Sequence, residues 1–498
     1  MKRYLFFATL LFGAAATHAQ TTADAVRYAQ DNTNGTARFR AMSGAFGALG
    51  GDMSAININP AGSAVFNYNT ITGSLTSYNI SNESNYFGTK TKKNDNSFEL
   101  NQLGGVWVFN SMNPEAKWKK LAVGINYENK NNFDNSIFNR GTNPTNNLAD
   151  YFRPYAQGTT LNTLQNAYYE DLGFNAQQAY LGYNAYIFDP LDPDNPNNTT
   201  YITNPNIATG NPFYQEHSIA TSGFNGKLTV NFASQYSKWL YLGMNLNIHF
   251  TDYITSVSFY EEYNSPSATG LQAVRFNDER YTYGAGFSLN VGAIAKVTEA
   301  LRLGVAYESP TWYSLQDEVT QNIASTCIDC DGTGTRTFIT DPGLTFVQDD
   351  YSLRTPAKYT GSLAYVFGKV GLLSVDLGAK DYGSSSFSDR YADTNEDIEN
   401  TLGWAREVRV GAEVRIKAVS LRGGFRYEES PYKDNTMSDL KGFSTGIGFA
   451  FGNSRLDLAY NYFKREMNVN PLNSTFFNST ARVNSNNNNV TLSYTLDL

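Results

Sequence analysis

The chain has 498 residues, of which 14% are aromatic and 17% are charged, and its formal net charge at pH 7 is −8. This acidic balance excludes a nucleic-acid-binding protein, because such proteins present basic surfaces to phosphates. The length alone would allow roughly two or three soluble domains, but the abundant tyrosine, phenylalanine, glycine and asparagine favour one large β-barrel.

Residues 1–19 have the pattern of a signal peptide. Lys2 and Arg3 precede an apolar core, and Thr17 and Ala19 occupy the small-residue positions before a cleavage point. The apolar core is too short for a transmembrane helix, and no later window holds the run of about eighteen apolar residues that such a helix requires. The sequence therefore predicts export, with any membrane crossing made by strands.

Residues 20–66 lack the alternation of a strand and are predicted to form a compact plug, or hatch. Dense glycines allow backbone to pack closely or to turn sharply. The alternative is a flexible periplasmic leader, which six apolar residues disfavour because exposed they would promote aggregation. The same six are the candidate lining of a hydrophobic ligand pocket: Phe39, Met42, Phe46, Leu49, Met53 and Ile56.

The end of this segment contains the sequence NPAG. Proline fixes its own backbone and restricts the residue before it, so this step predicts a rigid corner. A corner that shifts when ligand binds and a corner in a static plug are both compatible with the pattern. The candidate hatch and gating residues are Gly50, Gly51, Asn59, Pro60, Ala61 and Gly62.

Residues 67–498 are predicted to form an all-β, 14-stranded antiparallel transmembrane barrel. Strands are predicted to begin near residues 68, 98, 118, 218, 240, 280, 301, 353, 371, 405, 419, 440, 454 and 488. In the fifth strand Leu242, Met244 and Leu246 alternate with Gly243 and Asn245. Apolar residues outside and polar residues inside, with short and long connections in alternation, are typical of an outer-membrane barrel.

The longest connection runs from about residue 135 to residue 216 and is rich in asparagine, tyrosine and proline. Loops of this length are usually functional or disordered. We expect it to form an extracellular cap over the barrel mouth, with short helices in stretches such as TLNTLQNAYYEDL, residues 160–172.

Cys327 and Cys330 form a single CxxC in a polar stretch. Two thiolates are half a zinc site, and no second pair of cysteines or histidines completes it. In an exported protein the pattern favours a local disulfide, with a redox role as the alternative. The sequence predicts no metal site and no cofactor.

Several segments together resemble the FadL-type family of outer-membrane transporters for long-chain fatty acids and other hydrophobic compounds. They are GALGGDMSAININPAG, LRLGVAYESPTWYSL, YSLRTPAKYTGSLAYVFG, SVDLGAKDYGSSSFSD and LRGGFRYEESPYKDN, in this order along the chain. The resemblance implies a 14-stranded barrel closed inside by its amino-terminal hatch, which binds apolar ligands and releases them through an opening in the wall. The chain departs from the family in ending with Leu498 instead of phenylalanine and in its long insertion.

Inward-facing arginines are candidates for holding the carboxylate of such a ligand, because a cation in a partly desolvated interior binds carboxylate well. These candidates are Arg409, Arg422 and Arg426. The alternative is that each belongs to a cross-strand charge pair with an acidic neighbour such as Glu413 or Asp457.

These observations predict passive transport of hydrophobic small molecules across the outer membrane of a Gram-negative bacterium, by a monomeric barrel in contact with lipid and lipopolysaccharide. The alternatives are a FadL-like protein-interaction barrel, a general porin and a barrel lipase. The last would use Ser444 in GFSTG, which matches GxSxG but lacks the strand-turn-helix context of a nucleophile elbow. We therefore expect no enzymatic activity.

Overall fold

The computed structural model describes residues 20–204, 207, 212–263, 269–472, 474, 476–477 and 479–498. The predicted signal peptide, residues 1–19, lies outside the described residues.

Strands dominate this part of the chain. They are β1 (Thr70–Tyr86), β2 (Thr89–Asn110), β3 (Trp118–Asn132), β4 (Asn135–Asn143), β5 (Phe188–Pro190), β6 (Tyr201–Thr203), β7 (Phe213–Tyr236), β8 (Leu240–Glu262), β9 (Gly270–Lys296), β10 (Leu301–Glu308), β11 (Trp312–Ile328), β12 (Thr335–Thr340), β13 (Phe346–Val347), β14 (Tyr351–Arg354), β15 (Lys358–Phe367), β16 (Gly371–Asp381), β17 (Ser386–Phe387), β18 (Trp404–Ile416), β19 (Val419–Glu428), β20 (Leu440–Phe451), β21 (Ser454–Val469) and β22 (Ala481–Asp497).

All strands except β5 and β6 belong to one antiparallel sheet, which closes on itself because β1 pairs with β22. Three crossings are each made by two consecutive strands, namely β3 with β4, β10 with β11, and β14 with β15. The short strands β12, β13 and β17 are additions beyond the main ring. The result is a closed 14-strand barrel, which confirms the prediction.

The observed strands begin at or near the predicted positions, and several begin earlier. β2 begins at Thr89, β7 at Phe213, β9 at Gly270 and β22 at Ala481. The prediction relied on apolar alternation, which a strand needs only where it meets lipid. These early portions, such as TKTKKNDNS of β2, are polar on both faces, so their sequence carries no such signal.

The two faces of the wall have the predicted polarity. On β8, Leu242, Met244 and Ile248 are 39–55% exposed, whereas Asn245 and Asn247, on the opposite face, have no exposed surface. Short connections join the strands at one end of the barrel, and the longest connections lie at the other. We call these the short-turn end and the long-loop end.

Residues 20–66, which we call the N-terminal segment, contain short helices: α1 (Thr22–Ala29), α2 (Ala37–Ala41) and the 3-10 helices at Ser54–Asn57 and Pro60–Val65. Their contacts are with inward-facing side chains around the ring. The Ala37 amide donates to Ser493 of β22 over 2.6 Å, and the Phe46 amide donates to Asp376 of β16 over 2.9 Å.

Strand β4 continues the barrel to Asn143, so the long connection is shorter than the predicted 135–216. We call residues 144–212 the insert. As predicted, it contains short helices: α3 (Leu148–Ala156), α4 (Leu161–Asn166) and α5 (Phe174–Asn184). Its aromatic side chains form a core with the long-loop ends of β8, β9 and β11. A further helix, α6 (Ala392–Thr401), follows β17. Among the described residues, every helix is too short or too polar to span a membrane.

Candidate functional site

The NPAG corner is attached to the barrel wall through Asn59. Its side-chain amide donates to the Ala293 carbonyl of β9 over 3.0 Å and to the Gly47 carbonyl over 2.8 Å. Its side-chain oxygen accepts a bond from the Ala61 amide, and Pro60 begins the 3-10 helix. Asn59 therefore caps this helix and joins it to the wall at the same time.

Glycines in the wall make room for this corner. A side chain at Gly243 would place its first carbon 2.4 Å from the Ala61 amide, and one at Gly292 would approach Asn59 within 2.2 Å. Within the segment, Gly50 adopts a left-handed backbone (φ 61°) and lies directly against Gly62. The wall glycines are functional candidates that sequence reasoning missed, although the inward position of Gly243 in the alternation was a usable signal.

The six apolar residues predicted to line a ligand pocket are buried among one another and the wall. Phe39, Met42, Phe46 and Leu49 pack with Ala364 and Leu372 of the barrel. Met53 and Ile56 pack with Val106 and Ala122. Of the six, Phe39 lines a cavity that also contains Lys130 and Lys358, and none of the six lines the two cavities beside it. The structure therefore places these residues in the packing between the N-terminal segment and the wall.

The three candidate arginines are each engaged with acidic partners. Arg422 contacts Glu413 and Asp457, both over 2.7 Å, and its side chain is 1% exposed. Arg409 contacts Glu407 over 2.8 Å, and Arg426 contacts Glu428. Glu413 also accepts a bond from Arg38 of the N-terminal segment over 2.9 Å. Arg422 and Glu413 form the cross-strand pair considered as the alternative, and Arg38 extends it to the N-terminal segment. Arg409 and Arg426 each pair with a glutamate two residues away on the same strand.

A second attachment was not apparent from the sequence. Asp31 of the N-terminal segment contacts three lysines from three crossings of the wall: Lys380 over 2.7 Å, Lys358 over 3.0 Å and Lys130 over 3.4 Å. Burial alone would raise the pKa of Asp31, but these ammonium groups hold it well below its ordinary value. The carboxylate therefore stays ionised and holds the segment to opposite parts of the ring.

One cavity, which we call the charged cavity, surrounds this attachment and is lined mainly by charged and amide side chains. The two other cavities also contact residues 31–34.

The wall is interrupted between β2 and β3. Their backbone ladder runs from Asn110 opposite Lys120 to Gln102 opposite Glu128, and there it stops. Beyond that point residues 89–100 of β2 pair only with β1, and β4 pairs only with β7, among the described strands. A bulge at Lys130 accompanies the interruption. We call the stretch between residues 89–101 and 129–143 the gap.

Side chains and the N-terminal segment close the gap. Asn132 donates to Ser97 over 2.7 Å, and Asn129 bonds Glu99. From inside, the Asn34 amide donates to the carbonyls of Asn129 over 2.7 Å and of Lys130 over 3.0 Å. Side-chain hydrogen bonds thus replace backbone pairing across the gap, and one set of them comes from the N-terminal segment.

The remaining predicted groups lie apart from the gap. Cys327 and Cys330 are joined in a disulfide at the end of β11. Ser444 lies in strand β20, as its alternating context predicted, and donates to the Ala41 carbonyl over 2.9 Å. The described residues contain no group of three or more potential metal ligands.

Neither a protein-family model nor a curated protein matches the chain. Several solved structures have a similar fold. A FadL homologue from Pseudomonas aeruginosa is 13% identical over 94% of this chain and 99% of its own, with a TM-score of 0.53. The Pseudomonas putida toluene transporter TodX is 15% identical over 94% and 99%, with a TM-score of 0.51. The Ralstonia pickettii toluene transporter TbuX is 14% identical over 94% and 99%, with a TM-score of 0.50. The chain therefore has the FadL-type fold, which confirms the predicted resemblance at that level.

Proposed function

We propose that the protein is an outer-membrane channel that passively carries hydrophobic small molecules, with long-chain fatty acids or similar hydrocarbons as its substrates. The observation that carries the proposal is the part of the gap next to the end of the β2–β3 ladder, where Phe98 and Leu100 expose apolar side chains, because an exit into lipid favours an apolar solute over a polar one. The solved structures of similar fold include toluene transporters, which supports this class of substrate.

The energetics favour a route that avoids water. Removing apolar surface from water gains roughly 25 cal/mol per Å² before the costs of association are counted. A ligand that leaves the barrel through the wall keeps most of that gain, since it passes from protein to hydrocarbon. We infer that the gap is the exit and that side chains crossing it, such as Asn132 and Ser97, separate during release.

The N-terminal segment is the hatch in this proposal. Asn34 bonds the carbonyls at the gap, while Asn59 and Asp31 attach the rest of the segment to the wall. Movement of residues 32–35, between these two attachments, would release the carbonyls of Asn129 and Lys130 and widen the gap without disturbing Asp31 or the NPAG corner. The insert would serve as the extracellular cap at the long-loop end.

An outer-membrane location in a Gram-negative bacterium follows from the signal-peptide pattern, the closed barrel and the apolar outward face. The short-turn end would then face the periplasm. The contacts expected on the outward face are with lipid and lipopolysaccharide, and the closed ring is complete as a monomer.

One observation favours a second candidate, a protein-interaction barrel. The charged cavity is lined mainly by polar groups. In the long connection that follows β11, apolar surface is exposed by Ile339, Leu344, Phe346 and Val347. Such a barrel would bind a partner protein at the long-loop end and would take up no apolar solute.

We infer no catalytic role for Ser444, because its hydroxyl is buried against Ala41 and Ser43 of the N-terminal segment. Phospholipid hydrolysis that disappears in Ser444→Ala would contradict this. A general porin would conduct ions steadily in a planar bilayer, whereas a barrel closed by a hatch should not.

The test of the proposed function is uptake. Lipids that co-purify with the protein in mild detergent are identified by mass spectrometry, and uptake of oleate and of toluene is measured in cells with and without the chain. We expect a bound apolar molecule and faster uptake of at least one probe. Absence of both, together with capture of a protein at the long-loop end, would favour the interaction barrel.

A further inference from the structure

Lys227 differs from the other cations that line the charged cavity. It lies on β7, faces inward and is 6% exposed. Among the residues that the structure describes, no hydrogen bond or ion pair reaches its ammonium group. The other three cations are paired: Arg409 with Glu407, and Lys130 and Lys358 with Asp31.

The carboxylate expected to pair with Lys227 is bonded to another residue. Glu128 lies directly opposite Lys227 in the ladder between β3 and β7. Instead of pairing across the strands, Glu128 accepts a bond of 2.6 Å from the Asn57 amide of the N-terminal segment. Glu128 thus lines the same cavity as Lys227 but bonds the segment, and the Lys227 ammonium group is directed into the cavity without a direct hydrogen bond or ion pair among the described residues.

We propose that this cavity binds a small, water-soluble carboxylate, with Lys227 as its cationic partner. The Lys227 ammonium group keeps free hydrogen-bond donors, and a bound carboxylate would supply both charge and hydrogen-bond acceptors to them. Asn32, which lines the same cavity, is exposed, so solvent and small solutes can reach the site.

The lining selects a short solute. Apart from Phe39, Ile58 and Ala306, the cavity walls are charged, amide or hydroxyl side chains. A long acyl chain would have to bury its methylene groups against these polar walls, which cannot repay the loss of their own hydration. A short carboxylate with a compact apolar part matches the arrangement, because its charge meets Lys227 and its body meets the few apolar residues.

This site goes beyond the proposed function, since the gap serves apolar solutes and the cavity serves an anion. The two can fail separately. Loss of carboxylate binding leaves oleate and toluene uptake untouched, and loss of uptake leaves the cavity in place.

The experiment measures equilibrium binding of radiolabelled benzoate to the full-length protein in mild detergent at neutral pH. Benzylamine, of similar size and opposite charge, is the control ligand. Lys227→Met removes the ammonium group and keeps the length of the side chain, Lys227→Arg keeps the charge, and Lys238→Met is the matched change at an exposed lysine in a short turn.

We expect wild type, Lys227→Arg and Lys238→Met to bind benzoate and to reject benzylamine. Lys227→Met should bind benzoate on the order of 10–100-fold more weakly, because a hydrogen bond to a charged group is lost. Benzoate should also raise the thermal unfolding temperature of wild type and not that of Lys227→Met. The thermal measurement also shows whether Lys227→Met is folded, because only a folded protein gives an unfolding transition.

Three results would overturn the proposal. They are failure of wild type to bind benzoate at millimolar concentration, equal binding by Lys227→Met, and equal binding of benzylamine. Palmitate binding that depends on Lys227 without any benzoate binding would also count against it, because the site would then serve the long chains of the proposed function.

Discussion

Two seams of the same barrel are closed in different ways. Between β1 and β22 the backbone ladder reaches from Thr70 opposite Asp497 to Asn85 opposite Arg482, with one short break at Tyr78 and Asn79, and side chains such as Thr72 and Thr495 add a further bond of 3.1 Å. Between β2 and β3–β4 the ladder ends at Gln102, and side chains close the rest.

The two seams therefore differ in the free energy needed to open them. A ladder breaks only when several backbone groups lose their partners together, which is prohibitive in lipid. Side-chain bonds can be exchanged one at a time, and those of Asn34 belong to a segment that is attached separately. The second seam is therefore the place where the wall can open without unfolding.

Asp31→Asn should produce the largest difference in hydrogen exchange between the two seams. The substitution leaves Lys130, Lys358 and Lys380 facing an uncharged amide, and breaking a buried charge cluster costs about 3–5 kcal/mol. We expect faster hydrogen exchange in residues 31–35 and at the gap, with β1 and β22 unchanged. Asp194→Asn, at an exposed position of the insert, is the control. Unchanged exchange at the gap would show that the attachment of the segment through Asp31 does not help to close this seam.

The same carboxylate sets a pH dependence. Because the folded-state pKa of Asp31 is depressed, its contribution is complete above the unfolded pKa of about 3.9 and is lost as pH falls through the still lower folded value. Exchange protection of residues 31–35 should therefore be constant from neutral to mildly acidic pH and decline only in strong acid. A decline at pH values where histidine titrates would assign the attachment to another group.

A smaller effect is expected from Asn34→Ala. The carbonyls of Asn129 and Lys130 would lose a buried donor, at about 1–3 kcal/mol. Exchange in residues 129–133 should accelerate by about tenfold or more. The control is Thr495→Val, which removes one side-chain bond at the β1–β22 seam and leaves its backbone ladder intact. Equal acceleration at both seams would remove the distinction between them.

The smallest effect is that of Asn132→Ala, which deletes one partly buried bond to Ser97. A neutral hydrogen bond contributes about 0.5–1.5 kcal/mol. If the gap is the exit, this variant should take up oleate slightly faster than wild type while its unfolding temperature hardly changes. Slower uptake would indicate that Asn132 assists passage.

The sequence predicts the barrel well because lipid imposes a strict alternation on each crossing. Strands β8, β19, β20 and β21 begin at the predicted residues, 240, 419, 440 and 454. The NPAG corner was also predictable, since proline restricts the backbone locally. These features depend on neighbours in the chain.

Features that depend on distant neighbours were not predictable. Asp31 meets Lys358 and Lys380 across the ring, and alternation assigns a lysine to the inner face without saying what it faces. The arginine candidates illustrate the same point, because Arg422 faces inward as expected and is fully occupied by Glu413 and Asp457. The gap left no signal either, since residues 89–97 are polar on both faces.

The most direct test of solute release through the gap is to close the gap with a disulfide. Ser97→Cys with Asn132→Cys replaces a 2.7 Å side-chain contact across the gap by a disulfide, and Thr72→Cys with Thr495→Cys places one across the β1–β22 seam where its backbone is paired. Uptake of oleate and toluene is measured for both pairs, oxidised and after reduction. We predict that oxidation abolishes uptake only in the 97–132 pair and that reduction restores it. Full uptake through the oxidised 97–132 pair would contradict release at this seam.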